Sequence, residues 1–307
     1  MRLVFMGTPA FAVPSLEGLA EVGHQLAGVF SQPDKPVGRH HNKLQPTPVK
    51  ERALARGIPV YQPETLRDGT ALAILQELAP ELIVVAAYGR FLPDEILALP
   101  PKGCINVHSS LLPKYRGSAP INWAILNGER VTGVTIQRMV RDMDAGDIIL
   151  QRSTPIGETE DAAALYDRLA QLGGELAVEA VAQIQAGTAT YTPQDHTRAT
   201  QAPMLSKAMS PVDWTRSAQE IFNQIRGLYP WPGASTDVIS GEPIKLWGGQ
   251  VVEKHTDALP GAIAAADKNG IDVACGDGNV LRILELQPPG KKKMTAAAYL
   301  AGHPIQV

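Results

Sequence analysis

Short runs of consecutive apolar residues alternate with amphipathic stretches through the first half of the chain. The apolar runs have the length of buried strands and cover residues 3–6, 26–30, 82–87 and 104–108. Helical patterns lie between them at residues 11–22, 48–56 and 71–79. The second helix has a defined start, because Thr47 can cap the helix that Pro48 opens. This β-α-β-α order predicts an α/β fold whose Rossmann-like parallel sheet is covered by helices on both faces.

The pattern changes towards the second half. It predicts a helix at 120–126, strands at 131–140 and 148–155, and a long helix at 160–186. Apolar periodicity then fades, which places a linker at residues 190–206, between a domain at 1–189 and a domain at 207–307. The last part has a helix at 217–227 followed by short alternating runs at 243–247, 261–266, 270–274 and 279–286. Short strands with a hairpin turn at residues 276–279 predict a small OB-like β-barrel domain.

Composition restricts the class of protein. A chain of 307 residues with 44% hydrophobic and 19% charged residues is long enough for two domains with separate cores. No apolar run approaches the ~20 residues that span a membrane, and the first residues lack the layout of a signal peptide. The two cysteines, Cys104 and Cys275, have no metal-ligand spacing, so we expect buried thiols, no metal and a cytoplasmic location.

Charge is informative only locally, because the net charge is −3. Residues 35–56 contain six Lys or Arg against a single Glu, and Lys291, Lys292 and Lys293 form a second basic spot. Such clusters either follow a phosphate backbone or form solvated surface, and spacing alone leaves both readings open. The three tryptophans of the last domain, Trp214, Trp231 and Trp247, are predicted to be packing residues rather than base-stacking platforms.

The most informative polar residues follow the fourth apolar run. Asn106 and His108 are two apart on a strand, so their side chains project from the same side. An amide and an imidazole together can polarise a carbonyl and stabilise an oxyanion, and Asp144 at the end of another apolar run can supply a carboxylate. These residues indicate acyl-type transfer. A core role for His108 is the simpler alternative.

Two other chemistries fit poorly. Ser109 or Ser110 could be a nucleophile served by His108, but adjacent residues on a strand point apart and the chain has no Gly-x-Ser-x-Gly turn. Gly7 follows the first strand without a Gly-x-Gly-x-x-Gly pattern, so a dinucleotide site is not supported.

A resemblance to a known family rests on several motifs. Residues 106–113 read Asn-Val-His-Ser-Ser-Leu-Leu-Pro, residues 115–121 continue Tyr-Arg-Gly-Ser-Ala-Pro-Ile, and residues 5–12 read Phe-Met-Gly-Thr-Pro-Ala-Phe-Ala. With the Asp213-Trp214 pair and the C-terminal β domain, the chain resembles the folate-dependent formyltransferases nearly end to end, most closely those that act on methionyl-tRNA.

The resemblance implies a substrate pair and residue roles. The donor would be 10-formyltetrahydrofolate, and the acceptor would be the amine of methionine on initiator methionyl-tRNA. Asn106, His108 and Asp144 would be catalytic. Two segments would bind folate, formed by Ser110, Leu111, Leu112 and Pro113 and by Tyr88, Gly89, Arg90, Phe91 and Leu92. The tRNA would meet Lys35, Arg39 and Lys43 and the Lys291–293 spot, the last contacting it from the C-terminal domain of a monomeric enzyme.

Two alternatives share these residues. A sister formyltransferase would use Asn106, His108 and Asp144 on a sugar nucleotide or a small amine, and it would not bind tRNA. A non-catalytic folate- or RNA-binding module would bind folate without transferring a formyl group.

Overall fold

The computed structural model describes residues 1–37 and 43–306. The chain forms two compact units. The first comprises Met1–Gly117, Val131–Pro155 and Tyr166–Ala202, and the second comprises Ser118–Arg130, Ile156–Leu165 and the chain from Pro203 onward. The predicted mixed α/β architecture is confirmed, with a mainly parallel sheet in the first unit and an antiparallel β domain in the second.

Most strands belong to the first unit. They are β1 (Arg2–Gly7), β2 (Gln25–Phe30), β3 (Lys35–Val37), β4 (Lys43–Gln45), β5 (Val60–Tyr61), β6 (Leu82–Ala86), β7 (Cys104–His108), β8 (Arg116–Gly117), β9 (Val131–Arg138), β10 (Ile148–Pro155) and β11 (Gln201–Ala202). The second unit contributes β12 (Ala234–Thr236), β13 (Ile244–Val252), β14 (Ile263–Asp267), β15 (Gly270–Ala274), β16 (Val280–Gln287) and β17 (Met294–Thr295).

The helices follow the predicted order with additions. They are α1 (Val13–Glu21), α2 (Pro48–Ala55), α3 (Thr70–Leu78), α4 (Asp94–Leu97), α5 (Pro120–Leu126), α6 (Ala162–Ala186), α7 (Ala218–Gly227) and α8 (Ala296–Gly302). The predicted cap of α2 is confirmed, because the Thr47 hydroxyl accepts a hydrogen bond from the Lys50 amide at 3.2 Å. No helix in the described parts of the chain is long and apolar enough to cross a membrane.

The main sheet has seven strands in the order β10-β9-β7-β6-β1-β2-β5. The five strands from β7 to β5 are parallel, as the sequence pattern predicted. β9 and β10 were predicted as strands without a direction, and both pairings at this edge are antiparallel. The pairing of β9 with β7 places Asn106 opposite Gln137 and His108 opposite Thr135.

The strand order reverses between β1 and β6. From β1 the chain builds β2 and β5 on one side, and it then returns to place β6 and β7 on the other side. Ligands of open α/β sheets bind outside the carboxyl ends of the strands at such a reversal. Thr8 follows β1 here, and its hydroxyl donates to the backbone oxygen of Tyr88, just beyond β6, at 3.1 Å.

The second unit contains a fully antiparallel sheet in the order β12-β13-β16-β15-β14, with β17 added beside β16. Its core includes Trp214, Ile221, Leu246 and Ile283, all buried. The helix α7 begins with a capping box, in which Ser217 and Glu220 bind each other's backbone amides. The sheet and α7 are held by this single core.

Candidate active site

His108 stands at the end of β7 and is 6% exposed. Its Nε2 lies 2.9 Å from the backbone oxygen of Tyr115. Because a carbonyl oxygen only accepts hydrogen bonds, Nε2 must carry the proton in the neutral ring. The other nitrogen, Nδ1, faces the Asp144 carboxylate at 3.6 Å, which is too long for a direct hydrogen bond. His108 is therefore fixed through one nitrogen and has the other free for chemistry beside a carboxylate.

Asp144 lies in the turn that follows β9. One carboxylate oxygen accepts from the backbone amide of Gly117 and the other from Nε2 of Gln137, both at 2.9 Å. The backbone of Asp144 has φ of +51°, in the left-handed region that side chains other than glycine seldom adopt. Such a conformation persists only where the surroundings impose it, which is typical of functional sites.

Asn106 is half-buried and lies two residues before His108, on the same side of β7. Across the sheet it is paired with Gln137 of β9, while His108 is paired with Thr135. Paired residues of antiparallel strands lie on the same face. The sheet therefore brings Asn106, His108 and, through Gln137, Asp144 to one face, as the sequence predicted for an acyl-transfer site.

The predicted folate turn follows directly. It comprises Ser110, Leu111, Leu112 and Pro113. The buried hydroxyl of Thr135 holds it, donating to the backbone oxygen of Ser110 at 2.6 Å and accepting from the amide of Leu112 at 3.1 Å. Gln151 of β10 donates to the Leu112 oxygen at 3.0 Å and to the Thr135 hydroxyl at 2.8 Å. The turn is thus held by side chains rather than by strand pairing.

The second predicted folate segment, residues 88–92, lies at the reversal of strand order. Gln32 donates to the Tyr88 backbone oxygen at 3.1 Å and accepts from Arg90 Nε at 3.0 Å. Gly89 has φ of +81°. The Tyr88 hydroxyl is buried and has no hydrogen-bond partner within the described residues, and burial raises its pKa. Gln32 therefore fixes the backbone of this segment from one side.

A cavity of about 570 Å³ opens beside this segment. Its lining includes Leu66, Phe91, Leu92 and Ile96, and also the charged residues Arg67, Asp94, Glu95 and Arg141. Phe91 is 64% exposed, which is unusual for an aromatic ring. Two of the five predicted residues of the segment thus line this cavity, and Arg141 is three residues before Asp144.

Comparison with known proteins identifies the family. The profile of the formyl transferase family matches residues 1–181, and that of the formyl transferase C-terminal domain matches residues 204–304. The chain belongs to the formyl transferase family. A methionyl-tRNA formyltransferase from Alkaliphilus oremlandii is 49% identical over 100% of this chain and 98% of its own length. One from Bacillus subtilis is 45% identical over 99% of this chain and 96% of its own length.

Solved structures share the fold of this formyl transferase. HypX from Aquifex aeolicus in complex with tetrahydrofolic acid has a TM-score of 0.63 and 21% identity, covering 98% of this chain. The chain spans about half of that protein, 47% of its length. At this identity the likeness concerns the fold alone.

The basic residues of the formyl transferase predicted to meet tRNA lie in two places. Lys35 is exposed on β3, which pairs with β4 as a two-stranded ribbon that includes Lys43. Arg39 lies outside the described residues. Lys291, Lys292 and Lys293 are exposed in the second unit, and Lys293 pairs with Glu285 at 2.7 Å.

Sequence reasoning missed several side chains that hold this site. Thr135, Gln137, Gln151 and Gln194 are polar residues that bind the backbone or carboxylate of predicted site residues. One signal was available for two of them, since Thr135 and Gln137 alternate with the apolar Val134 and Ile136 on β9. A strand whose polar positions are also buried indicates a polar site against that face.

Proposed function

We propose that this formyl transferase moves the formyl group of 10-formyltetrahydrofolate to the α-amine of methionine on initiator methionyl-tRNA. The observation that carries the proposal is the arrangement of Asn106, His108 and Asp144, within a chain that matches methionyl-tRNA formyltransferases over nearly its full length. Every residue of the trio comes from one chain, so a monomer suffices. We place the enzyme in the cytoplasm, where charged tRNA is used.

Asn106, His108 and Asp144 have different roles in the transfer. Attack by the amine forms a C–N bond and leaves negative charge on the formyl oxygen, which the Asn106 amide and a protonated His108 would stabilise. One proton must then pass from the amine to the departing folate nitrogen. Asp144 would orient the imidazolium and accept the amine proton, while Nδ1–H of His108 protonates the folate nitrogen as its bond to the formyl carbon breaks. The proton on Asp144 would then return to Nδ1 of His108, the nitrogen that faces it. This chemistry needs positioning rather than a covalent intermediate.

The residues present fit a folate. The side chains of Phe91 and Leu92 at the cavity suit a flat ring, and Gly89 allows a ligand to approach the backbone. Arg67 at the same cavity suits a carboxylate, whereas Arg141 lies 3.7 Å from the carboxylate of Asp94, which also lines the cavity. The turn at Ser110, Leu111, Leu112 and Pro113 would hold the donor against the trio. A formyl donor supplies the one-carbon group when it is bound there.

Two basic surfaces would hold the tRNA. The basic segment of sequence that contains Lys35, Arg39 and Lys43 is one, and the Lys291–293 spot in the domain at 207–307 is the other. At the second surface Lys245 lies 5.4 Å from the Trp247 ring and Lys293 lies 5.8 Å from the Tyr229 ring, which packs edge-on against Trp247. Lysines interleaved with aromatic rings suit an RNA backbone with unstacked bases.

The test is formyl transfer from 10-formyltetrahydrofolate to methionyl initiator tRNA. Wild type should transfer, and His108→Ala and Asp144→Asn should lose activity by about two to four orders of magnitude. Asp147→Asn is the matched control, because it makes the same change three residues away, and it should stay close to wild type. Folate binding without transfer to charged tRNA would reject the proposal, and transfer to a sugar nucleotide or small amine would favour the sister enzyme.

A further inference from the structure

The segment after α6 lies against the loop of Asp144 and the loop that anchors His108, although its sequence predicted a linker. We call residues 192–202 the strap. Thr192 forms a bridge with Ile148, and β11 pairs in parallel with β8. The amide of Arg116 donates to the Thr200 oxygen at 2.8 Å. The strap is therefore an ordered part of the first unit.

One strap residue, Gln194, is 5% exposed and uses its whole amide group. Nε2 donates to the backbone oxygens of Asp144 at 2.9 Å and Gly146 at 2.7 Å. Oε1 accepts from Nε and Nη2 of Arg116 at 3.2 and 2.7 Å. A side-chain amide has two N–H donors and an oxygen with two lone pairs, so all four are occupied.

The turn of Asp144 depends on such outside contacts. Its left-handed backbone is disfavoured for a residue with a side chain. Gly146 packs so closely against the backbone oxygen of Arg138 that an added Cβ would lie 1.8 Å from it. Gln194 binds the carbonyls of both residues and thereby fixes the direction in which Asp144 points.

The strap also holds the anchor of His108. The Thr200 hydroxyl accepts from the amide of Tyr115 at 2.9 Å, and the oxygen of Tyr115 is the partner of His108 Nε2. Tyr115 itself has φ of +61°. The strap thus contacts the supports of both members of the His108–Asp144 pair.

We propose that Gln194 is a positioning residue, which sets the Asp144 carboxylate against Nδ1 of His108 and so controls the rate of formyl transfer. This inference rests on the proposed function for its kinetic test. Gln194 does not touch the reacting atoms, and it acts through Asp144. Misplacement of a catalytic group by about 1 Å can cost about 100-fold in rate.

Two variants separate positioning from folding. Gln194→Glu keeps an oxygen for Arg116 but replaces the donor that binds two carbonyls, and Gln194→Met removes every hydrogen bond at similar volume. We expect Gln194→Glu to stay folded with a lowered Tm, to lose about 10- to 100-fold in kcat, and to keep KM for folate and tRNA within about threefold. Gln194→Met should lose at least as much kcat. Gln183→Glu on α6, at a half-buried position whose side chain bonds to Glu179 rather than to the trio, makes the same chemical change and should leave kcat unchanged.

A second measurement does not need activity. The Gly117 amide donates to Asp144 Oδ2 at 2.9 Å, so its proton resonance in ¹⁵N-labelled protein reports the position of that carboxylate. The chemical shift of this proton should move in Gln194→Glu towards its value in Asp144→Asn, and it should not change in Gln183→Glu. An unmoved Gly117 signal together with wild-type kcat overturns the inference. Wild type that fails to formylate methionyl-tRNA rejects the proposed function instead, and the Gly117 signal then decides the role of Gln194.

Discussion

Gln137 faces Asn106 across the antiparallel pair of β9 and β7, and its Nε2 donates to the Asp144 carboxylate at 2.9 Å. Gln137 thus connects Asn106 and Asp144, two members of the predicted trio. A shift of register by one residue would move Gln137 to the opposite face, because side chains alternate along a strand. The register of β9 against β7 therefore places one of the donors to the Asp144 carboxylate opposite Asn106.

Replacing Gln137 by Met should lower kcat by about tenfold or more, because Asp144 loses one of the two donors that hold its carboxylate. Steady-state kinetics with both substrates measures this. Gln250→Met, at an exposed position of β13, is the matched control and should change neither kcat nor KM. Equal kcat in the two variants would show that Gln137 is dispensable.

Thr135→Val should raise KM for the formyl donor, because the hydroxyl that holds Ser110 and Leu112 is lost while the shape is kept. Loss of a buried hydrogen-bonding group should also lower the free energy of unfolding by about 1–3 kcal/mol. Folate titration and urea unfolding measure the two effects. Thr132→Val is the control, because Thr132 is a buried residue of the same strand that makes no hydrogen bond to this turn within the described residues. Its folate KM should not change.

Lys291→Ala/Lys292→Ala should weaken tRNA binding and reduce its dependence on salt. If both lysines contact phosphates, the slope of log affinity against log salt should fall by about 2. Filter binding at several salt concentrations measures it, with Lys254→Ala/Lys268→Ala removing equal charge elsewhere in the second unit as control. An unchanged slope would remove this spot from the interface. Arg39→Ala should behave similarly, without altering transfer from bound substrates.

The Asp34 carboxyl makes stability depend on pH. Its hydrogen bonds with Lys50 and then Gln62 lower its pKa, and Gln62 also donates to the Gln32 backbone. A lowered pKa adds stability above the unfolded pKa and loses it as pH falls through the folded one. Asp34→Asn should therefore cost about 1 kcal/mol of unfolding free energy near pH 7 and much less near pH 3. Urea unfolding at both pH values measures this, and a constant difference would contradict it.

Both thiols should be inert in the folded protein. Burial raises the pKa of Cys104 to about 12 and that of Cys275 to about 11. The thiolate is the reactive form, so at pH 8 only about one Cys104 in ten thousand is reactive. A chromogenic disulfide should modify almost no thiol in the native protein within minutes and two per chain in guanidinium. Rapid native modification would contradict the burial.

Much of the fold was predictable because buried parallel strands are apolar on both faces. The runs at 82–87 and 104–108 are close to β6 (Leu82–Ala86) and β7 (Cys104–His108). The direction of β9 and β10 could not be predicted, because side chains alternate in the same way along parallel and antiparallel strands. The strap was missed for a different reason. Its order comes from hydrogen bonds such as those of Gln194, and these leave no apolar periodicity.

The sequence pointed to the side chains that the structure brings together in the candidate site, but not to the residues that support them. Asn106 and His108 are close in sequence, and the motif around them is specific. Glutamine and threonine carry no such signal, because the same residues are common on surfaces. Among the tryptophans, Trp214 packs in the core as predicted, whereas the prediction for Trp231 was wrong, because its side chain is 51% exposed.

The hydrogen bond from His108 Nε2 to the Tyr115 oxygen limits proton transfer by His108 to one ring nitrogen. Rotating the imidazole by half a turn would bring a carbon to that oxygen and another carbon towards Asp144, so the ring is held in one orientation. A proton that arrives at Nδ1 must then depart from Nδ1. His108 therefore takes up and releases protons through Nδ1 alone and does not carry them from one ring nitrogen to the other. Its proton transfers are limited to the groups that reach Nδ1.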